Sequence, residues 1–238
     1  PSPRPTFPSV PSLPGPPPVP PSRPMRHADG GLARFHGGGG GIDGQLDQAF
    51  ADSGIKDLPQ AGTHMGFARL TGGRTTLIID ASKPPTGAAS ARAHASTLGL
   101  ELTSGRRPLI VNCGSGARFG EEWRRASRAT PSHAVMGLDG MSSSHLSKQD
   151  DLLTQVPSLI RLNMDDPRKI ELSHNGYQHS HGLTYARILG LSVDGRVLDG
   201  EDLMATLDKA DEARFDTALD QSNLDGIGYS IRFHLHPD

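Results

Sequence analysis

The stretch that decides the fold is Leu183-Thr184-Tyr185-Ala186-Arg187-Ile188-Leu189-Gly190-Leu191-Ser192-Val193-Asp194-Gly195-Arg196-Val197-Leu198. A run rich in apolar residues, Leu183 to Val193, meets Asp194-Gly195, and a second short run follows from Arg196 to Leu198. Asp-Gly tolerates the positive φ of a tight type I′ turn, so the stretch predicts an antiparallel hairpin. The same texture, short apolar runs broken by Gly, Pro and Asp-Gly, extends outward from Met65 to the end of the chain. It predicts further strands at Met65–Leu70, Thr75–Asp80, Leu98–Thr103, Pro108–Asn112, Ala134–Asp139 and Lys169–Ser173.

Near the end, Tyr229, Ile231, Phe233 and Leu235 alternate with Ser230, Arg232, His234 and His236, which predicts one apolar row against a core and one polar row outside. Residues 201–222 suit either a helix, with Leu203, Leu207 and Ala210 at helical spacing, or a long Asp-rich loop. No internal repeat is visible. The fold expected is mainly β, an antiparallel β-sandwich of two stacked sheets over residues 65–238.

What precedes this domain differs in kind. Residues 1–24 hold 12 of the chain's 20 prolines, which removes backbone donors, fixes φ and favours an extended, flexible arm. A proline-rich tether is the simpler reading, and an SH3-type ligand the sharper one. Residues 25–64 read as a Gly-rich linker, with five glycines from Gly37 to Gly41 and a short helix over Asp43–Asp52 placing Leu46, Ala49 and Phe50 on one side. The glycine run lacks the preceding strand that a phosphate loop needs.

Composition excludes several functions. The 238 residues carry 24 Lys plus Arg against 26 Asp plus Glu, a net charge of −2, so no polycation is present to condense on nucleic acid. A single cysteine, Cys113, excludes an internal disulfide and a cysteine-only zinc site. At the end of an apolar strand, its expected place is as a small buried hydrophobe. No apolar run approaches the roughly 20 residues of a membrane span, and no signal-peptide layout opens the chain. Its start at proline and its end straight after an alternating strand suggest a piece of something longer.

Eleven histidines leave imidazole and oxygen as the only ligands for a transition metal. In His179-Ser180-His181 and His234-Leu235-His236, strand geometry would put both rings on one face about 6–7 Å apart, although solvent-facing polar residues are the simpler reading. His94, Asn112 and His133 lie at or beside expected strands and offer three arms of a tetrahedral site. Taken one at a time, each is more simply a hydrogen-bonded core residue. Tyr177, beside Gly176, reads as packing, as an acid or as a saccharide platform. GxSxG and HExxH motifs are absent, and no hydrolase triad is supported.

The segment Arg92-Ala93-His94-Ala95-Ser96-Thr97-Leu98-Gly99-Leu100-Glu101-Leu102, followed by Gly105, Pro108-Leu109-Ile110-Val111-Asn112 and Gly114, resembles the core motif of the heparinase II/III-like family, in which His-x-His-Ala-Asp precedes an alternating strand and an apolar strand ending in Asp-x-Gly. Further blocks fit in the same order: residues 26–33, Thr76–Asp80, Ala129–His133, Ser173–Tyr177, Gly200–Asp202 and Arg232–Pro237. The resemblance spans about residues 25–238. It implies the C-terminal β domain of a polysaccharide lyase whose N-terminal α/α toroid lies outside this chain, with an acidic, uronate-containing polysaccharide bound between them and cleaved by β-elimination. It also implies a bacterial periplasmic setting.

Carried over by position, His94 and His133 match zinc-ligand histidines of some members, and Asn112 falls where the family has an aspartate ligand. The resemblance thus implies a Zn²⁺ site at His94, Asn112 and His133, weakened by the loss of a charge. Arg92 takes the place of the catalytic histidine. A guanidinium cannot act as a base, yet it can neutralise a carboxylate through a two-pronged contact. The alternative to a lyase is a structural or carbohydrate-binding sandwich that has lost catalysis. A lesser alternative is an interaction module recruited through the proline arm. The isolated piece is expected to be inactive.

Overall fold

The computed structural model describes residues 25–39, 42, 44–53, 61–138, 140–222 and 226–237. The proline-rich arm at 1–24 lies outside these, as do Gly40, Gly41 and Asp43. Five antiparallel strands form the first sheet in sequential order: β1 (Gly62–His64), β2 (Phe67–Gly72), β3 (Thr75–Asp80), β4 (Leu100–Ser104) and β5 (Arg107–Ile110). Two short pairings follow. One links β6 (Met136–Leu138) to the distant β13 (Tyr229–Ile231), and the other joins β7 (His145–Leu146) to β8 (Leu153–Thr154). The second large sheet has the order β12-β11-β10-β9, built from β9 (Leu159–Asp166), β10 (Lys169–Tyr177), β11 (Leu183–Leu191) and β12 (Leu198–Ala205).

Strand alternation explains how the two sheets meet. Leu70 of β2, Leu77 and Ile79 of β3, and Leu100 of β4 share one core with Ile170 and Leu172 of β10 and Tyr185, Leu189 and Leu191 of β11. This is the expected sandwich. The opposite face of β3 is buried too, which is why all six of its residues are inaccessible. Ile78 packs there under Ala33 and Phe35, and the Phe35 ring lies 5.3 Å from that of Phe67. The stretch expected as a linker is therefore partly built into the domain as a lid on the first sheet. Its helix appears as α1 (Gln45–Ser53), and the side chains of Leu46, Ala49 and Phe50 lie outside the described residues.

The hairpin forms with a longer turn than Asp-Gly alone suggests. Leu191 pairs with Leu198, so six residues, Ser192 to Val197, make the connection. Ser192 N–H donates to Val197 O, Gly195 N–H donates to Ser192 O, and Gly195 takes φ +69° while Asp194 keeps negative φ. The loop also docks on the first sheet: Thr75 Oγ1 donates to Gly195 O at 2.7 Å, and a Cβ on Gly195 would sit 1.9 Å from Gly72 O. Only glycine satisfies both demands.

Four further expectations change. Residues 201–222 are both strand and helix, the end of β12 and then α4 (Lys209–Gln221), whose N-cap Asp208 accepts from the N–H groups of Ala210 and Asp211. His179 and His181 lie on α3 (Gln178–His181), one helical turn closed by Gly182 at φ +64°, so the strand spacing proposed for them does not apply. The C-terminal alternation is real but reversed: Tyr229, Phe233 and Leu235 are 65%, 52% and 74% exposed. Of the polar row, Ser230, His234 and His236 are half-buried, with His234 Nε2 donating to Pro131 O at 3.0 Å, while Arg232 is exposed. Cys113 is exposed, not buried.

Candidate functional site

Segment 93–95 is held as an extended strip against residues 128–130. Ala95 N–H donates to Arg128 O, Arg128 Nε donates to Ala93 O, and Thr130 Oγ1 donates to Ala95 O, each at 2.8 Å. A bridge between Leu100 and Ala134 continues the contact. The strip carries His94, the following segment carries His133, and the exit from β5 carries Asn112. The three expected ligands therefore do come together, all buried: the His94 and His133 rings lie 5.2 Å apart, and His133 Nδ1 is 3.1 Å from Asn112 Oδ1. An amide oxygen only accepts, so Nδ1 carries the proton and His133 Nε2 is left as an acceptor.

His36, which no motif marks, completes the cluster. Its Nδ1 accepts the His94 backbone N–H at 3.1 Å, and its Nε2 faces Asp80 Oδ2 at 3.3 Å. Asp80, fully buried, also accepts from Ser96 Oγ at 2.6 Å. Gly37 takes φ +73°, and a Cβ there would lie 3.1 Å from His94 Nε2. Burial, then repulsion from His36, holds His94 down to a pKa of about 3. Burial, then His94, pushes His133 far below the ordinary imidazole value. His36 moves the other way: burial opposes its charge, but the hydrogen bond to Asp80 and that carboxylate's charge prevail and raise it. His94 and His133 are neutral at physiological pH, so neither serves as an imidazolium acid, and both are weak bases.

Arg92 sits on the surface at the end of the 3₁₀ turn Gly87–Arg92, two residues before His94, and forms no ion pair among the described residues. The turn is anchored by Arg128, whose Nη2 donates to Ser90 O at 2.8 Å. Arg128 also lines a cleft of about 760 Å³ with a mixed polar and apolar wall, together with His145, Asn175, Asp208, Asp211 and Arg214. Tyr177 does not reach solvent. It is fully buried, its OH is 3.5 Å from Met136 O, and burial raises its pKa well above the usual phenol value. A ring without a free face cannot stack on a sugar, which corrects its assignment as a saccharide platform.

Two other buried networks escaped the sequence reading. Arg187 on β11 clasps Asp202 of β12 through Nε and Nη2 at 2.7 and 3.0 Å, and its Nη1 crosses the core to Leu98 O and Ala134 O. Leu98 itself takes φ +66°, and that guanidinium helps hold the strained backbone. Glu101 is sequestered by His27 Nε2 at 2.9 Å and by the N–H groups of Arg34 and Asn112.

The zinc site implied by the resemblance fails a test on these atoms. Zinc wants at least three well-placed donors, commonly with a thiolate or carboxylate among them. The set here is neutral, and Asn112 Oδ1 is engaged by His133. Among the described residues, no three His, Cys, Asp or Glu side chains converge in metal-holding geometry.

The antiparallel two-sheet sandwich is similar in fold to solved heparinase III structures. One overlays with a TM-score of 0.57 at 13% identity, covering 79% of this chain and 31% of that one. A form with methylated lysines gives 0.56 at 14% identity, covering 77% and 30%. The "Heparinase II/III-like, C-terminal" family model matches residues 56–238, and the chain belongs to that family. A curated relative, FtsZ-localized protein C of Caulobacter vibrioides, is 31% identical over 230 residues, covering 88% of this chain and 37% of that protein. The chain spans about a third of the length of these relatives. No described helix is long and apolar enough to cross a membrane.

Proposed function

We propose that this chain is the polysaccharide-facing sandwich of a heparinase II/III-like protein, and that Arg92 grips a carboxylate of a uronate-containing polymer held against a helical toroid outside the chain. The placement of Arg92 carries the reading. It is an exposed, permanently charged fork without an acidic partner among the described residues, presented by a turn that Arg128 ties to the wall of the cleft. Abstraction of the uronate C5 proton requires the neighbouring carboxylate's charge to be neutralised as the carbanion develops, which suits a guanidinium. None of His94, His133 and Arg92 serves as the base, because the imidazoles are buried and Arg92 keeps its proton, and the reading assigns base and acid to the toroid.

Mixing the full-length protein with uronic-acid polymers, and following absorbance in the ultraviolet band of unsaturated uronate, tests the reaction. Affinity electrophoresis of wild type and Arg92→Ala tests the grip. A charge-assisted two-pronged contact is worth about 1.5–3 kcal/mol, so Arg92→Ala should weaken binding about 10- to 100-fold. Arg92-dependent binding without absorbance identifies a carbohydrate-binding sandwich without catalysis. Binding that ignores Arg92 refutes the assignment.

A second reading draws on the curated relative, whose name ties it to FtsZ. On this reading the sandwich is a non-catalytic attachment domain at the division machinery, and co-sedimentation of the full-length protein with FtsZ polymers tests it.

A further inference from the structure

Buried charges in proteins are paired, and Arg128 breaks that rule. It is 2% exposed. Its guanidinium donates to the backbone carbonyls of Ala93, Asp151 and Ser90, each at 2.8 Å, and among the described residues no carboxylate forms an ion pair with it. The Asp151 carboxylate goes to Arg124 and Arg125, and Glu121 goes to Arg124. Three arginines therefore share two carboxylates. Burial, then the charges of Arg124 and Arg125, lowers the pKa of Arg128.

Arg128 belongs to the wall of the cleft of about 760 Å³, a size inside the roughly 300–1,000 Å³ of small-molecule sites. The carboxylates of that wall are committed. Asp208 accepts the N–H groups of Ala210 and Asp211 as the cap of α4, and buried Asp211 accepts from Gln178 Nε2 at 2.9 Å and Arg214 Nη1 at 2.8 Å. Donors are left over. Ser144, 1% exposed, has a hydroxyl without a partner. Asn175 uses its Oδ1 on the Ser158 N–H, which leaves its Nδ2 hydrogens, and Arg214 keeps the donors that do not reach Asp211. Met141, Leu146 and Val156 add apolar surface. A buried cation calls for an anion, surplus donors call for further oxygens, and an apolar wall calls for C–H groups. A sugar acid carries all three.

We propose that this cleft binds a sugar acid of the uronate type, whose carboxylate offsets the charge of Arg128 while Ser144, Asn175 and Arg214 donate to its oxygens. That the sugar is a unit of the polymer gripped by Arg92 rests on the polysaccharide reading, and the site itself does not. The two places are joined through one side chain, because the carbonyls that Arg128 holds, Ser90 and Ala93, flank Arg92 in the chain.

His145 and His179, both exposed on the cleft, report whether it is filled. The full-length protein is treated with diethyl pyrocarbonate in the presence of sodium glucuronate, glucose, sodium acetate or inorganic phosphate, and mass spectrometry follows modification at each histidine. For a Kd of about 1–10 mM, glucuronate at about 50 mM should slow modification of His145 and His179 about 5-fold or more and leave His64 of β1 unchanged. Ser144→Ala removes a hydroxyl that no protein group uses, so it should fold normally and raise the glucuronate concentration needed about 3- to 10-fold. No protection by glucuronate overturns the proposal. Equal protection by glucose, acetate or phosphate does so too, since it shows a site that does not recognise a sugar acid. Histidines already unreactive without ligand would show that the rest of the protein covers the cleft, which also ends it. Because the probe is a monomer, polymer binding that ignores Arg92 would remove the grip and leave this site standing.

Discussion

His174 offers a measurement of how this core responds to acid. The ring is fully buried on β10 beside Tyr177 and Tyr185, at 5.8 and 5.2 Å between ring centroids, and its Nδ1 accepts the Gly176 N–H at 3.0 Å. Burial is the main cause that brings its pKa down to about 4, with Arg187 adding to the shift. In the unfolded chain an imidazole titrates near its ordinary value of about 6.5. Between these values the unfolded state binds the extra proton, so stability contributed at neutral pH is lost as pH falls through the window. The full linkage amounts to about 3 kcal/mol, of which about 2 kcal/mol has gone by about pH 5. Replacing His174 with Phe keeps a ring in the core and removes the titration, but leaves the Gly176 N–H without its acceptor, at a cost of about 1 kcal/mol. The two proteins should therefore cross. In urea unfolding, His174→Phe should be the weaker by about 1 kcal/mol at about pH 7.5 and the stronger by about 1 kcal/mol at about pH 5. His94 and His133 drive the same loss in both proteins, and His36, with its raised value, opposes it in both, so the difference isolates His174. Parallel stability curves from about pH 7.5 to 5 would refute the buried, neutral assignment.

Arg187→Met leaves the Asp202 carboxylate and the carbonyls of Leu98 and Ala134 without their shared donor, so denaturant unfolding should show a loss of about 3–5 kcal/mol. Gly37→Ala meets both a positive φ and the His94 ring, and should cost about 1–2 kcal/mol in the same assay. Phe233→Ser touches a side chain that faces solvent and should move stability by no more than about 0.5 kcal/mol; a larger loss would show that the row is covered.

The elements legible in the sequence were those whose environment is set by neighbours along the chain. Thr75–Asp80 reads as a strand because its apolar run ends in turn residues, and it is one, residue for residue. At the C-terminus the alternation was equally clear, but period 2 defines two faces without saying which one meets the core. Here His234 turns inward because it finds a carbonyl at Pro131, a partner 103 positions away that no local pattern announces. The Asp-Gly turn was legible as a turn and misjudged in length, because its loop is fixed by docking onto Gly72 and Thr75 across the sandwich.

The candidate site divides along the same line. His94, Asn112 and His133 were readable through resemblance, each within a recognisable block. His36 lies 58 positions from the backbone N–H it caps, in a stretch read as linker, and nothing in its surroundings marks it. Yet His36 shows how the site can keep its shape without a metal. By accepting the His94 N–H and facing Asp80, it ties the strip that carries His94 to the C-terminal end of β3. In a zinc site the ion itself fixes the relative positions of its ligands. Here the Asn112–His133 bond and the His36 bridge do so through hydrogen bonds, so loss of the charge at position 112 need not loosen the cluster. What the sandwich then keeps on its surface is Arg92, a cation that holds its own proton across the physiological range. A grip of that kind should hold an anionic polymer with affinity that falls as salt concentration rises.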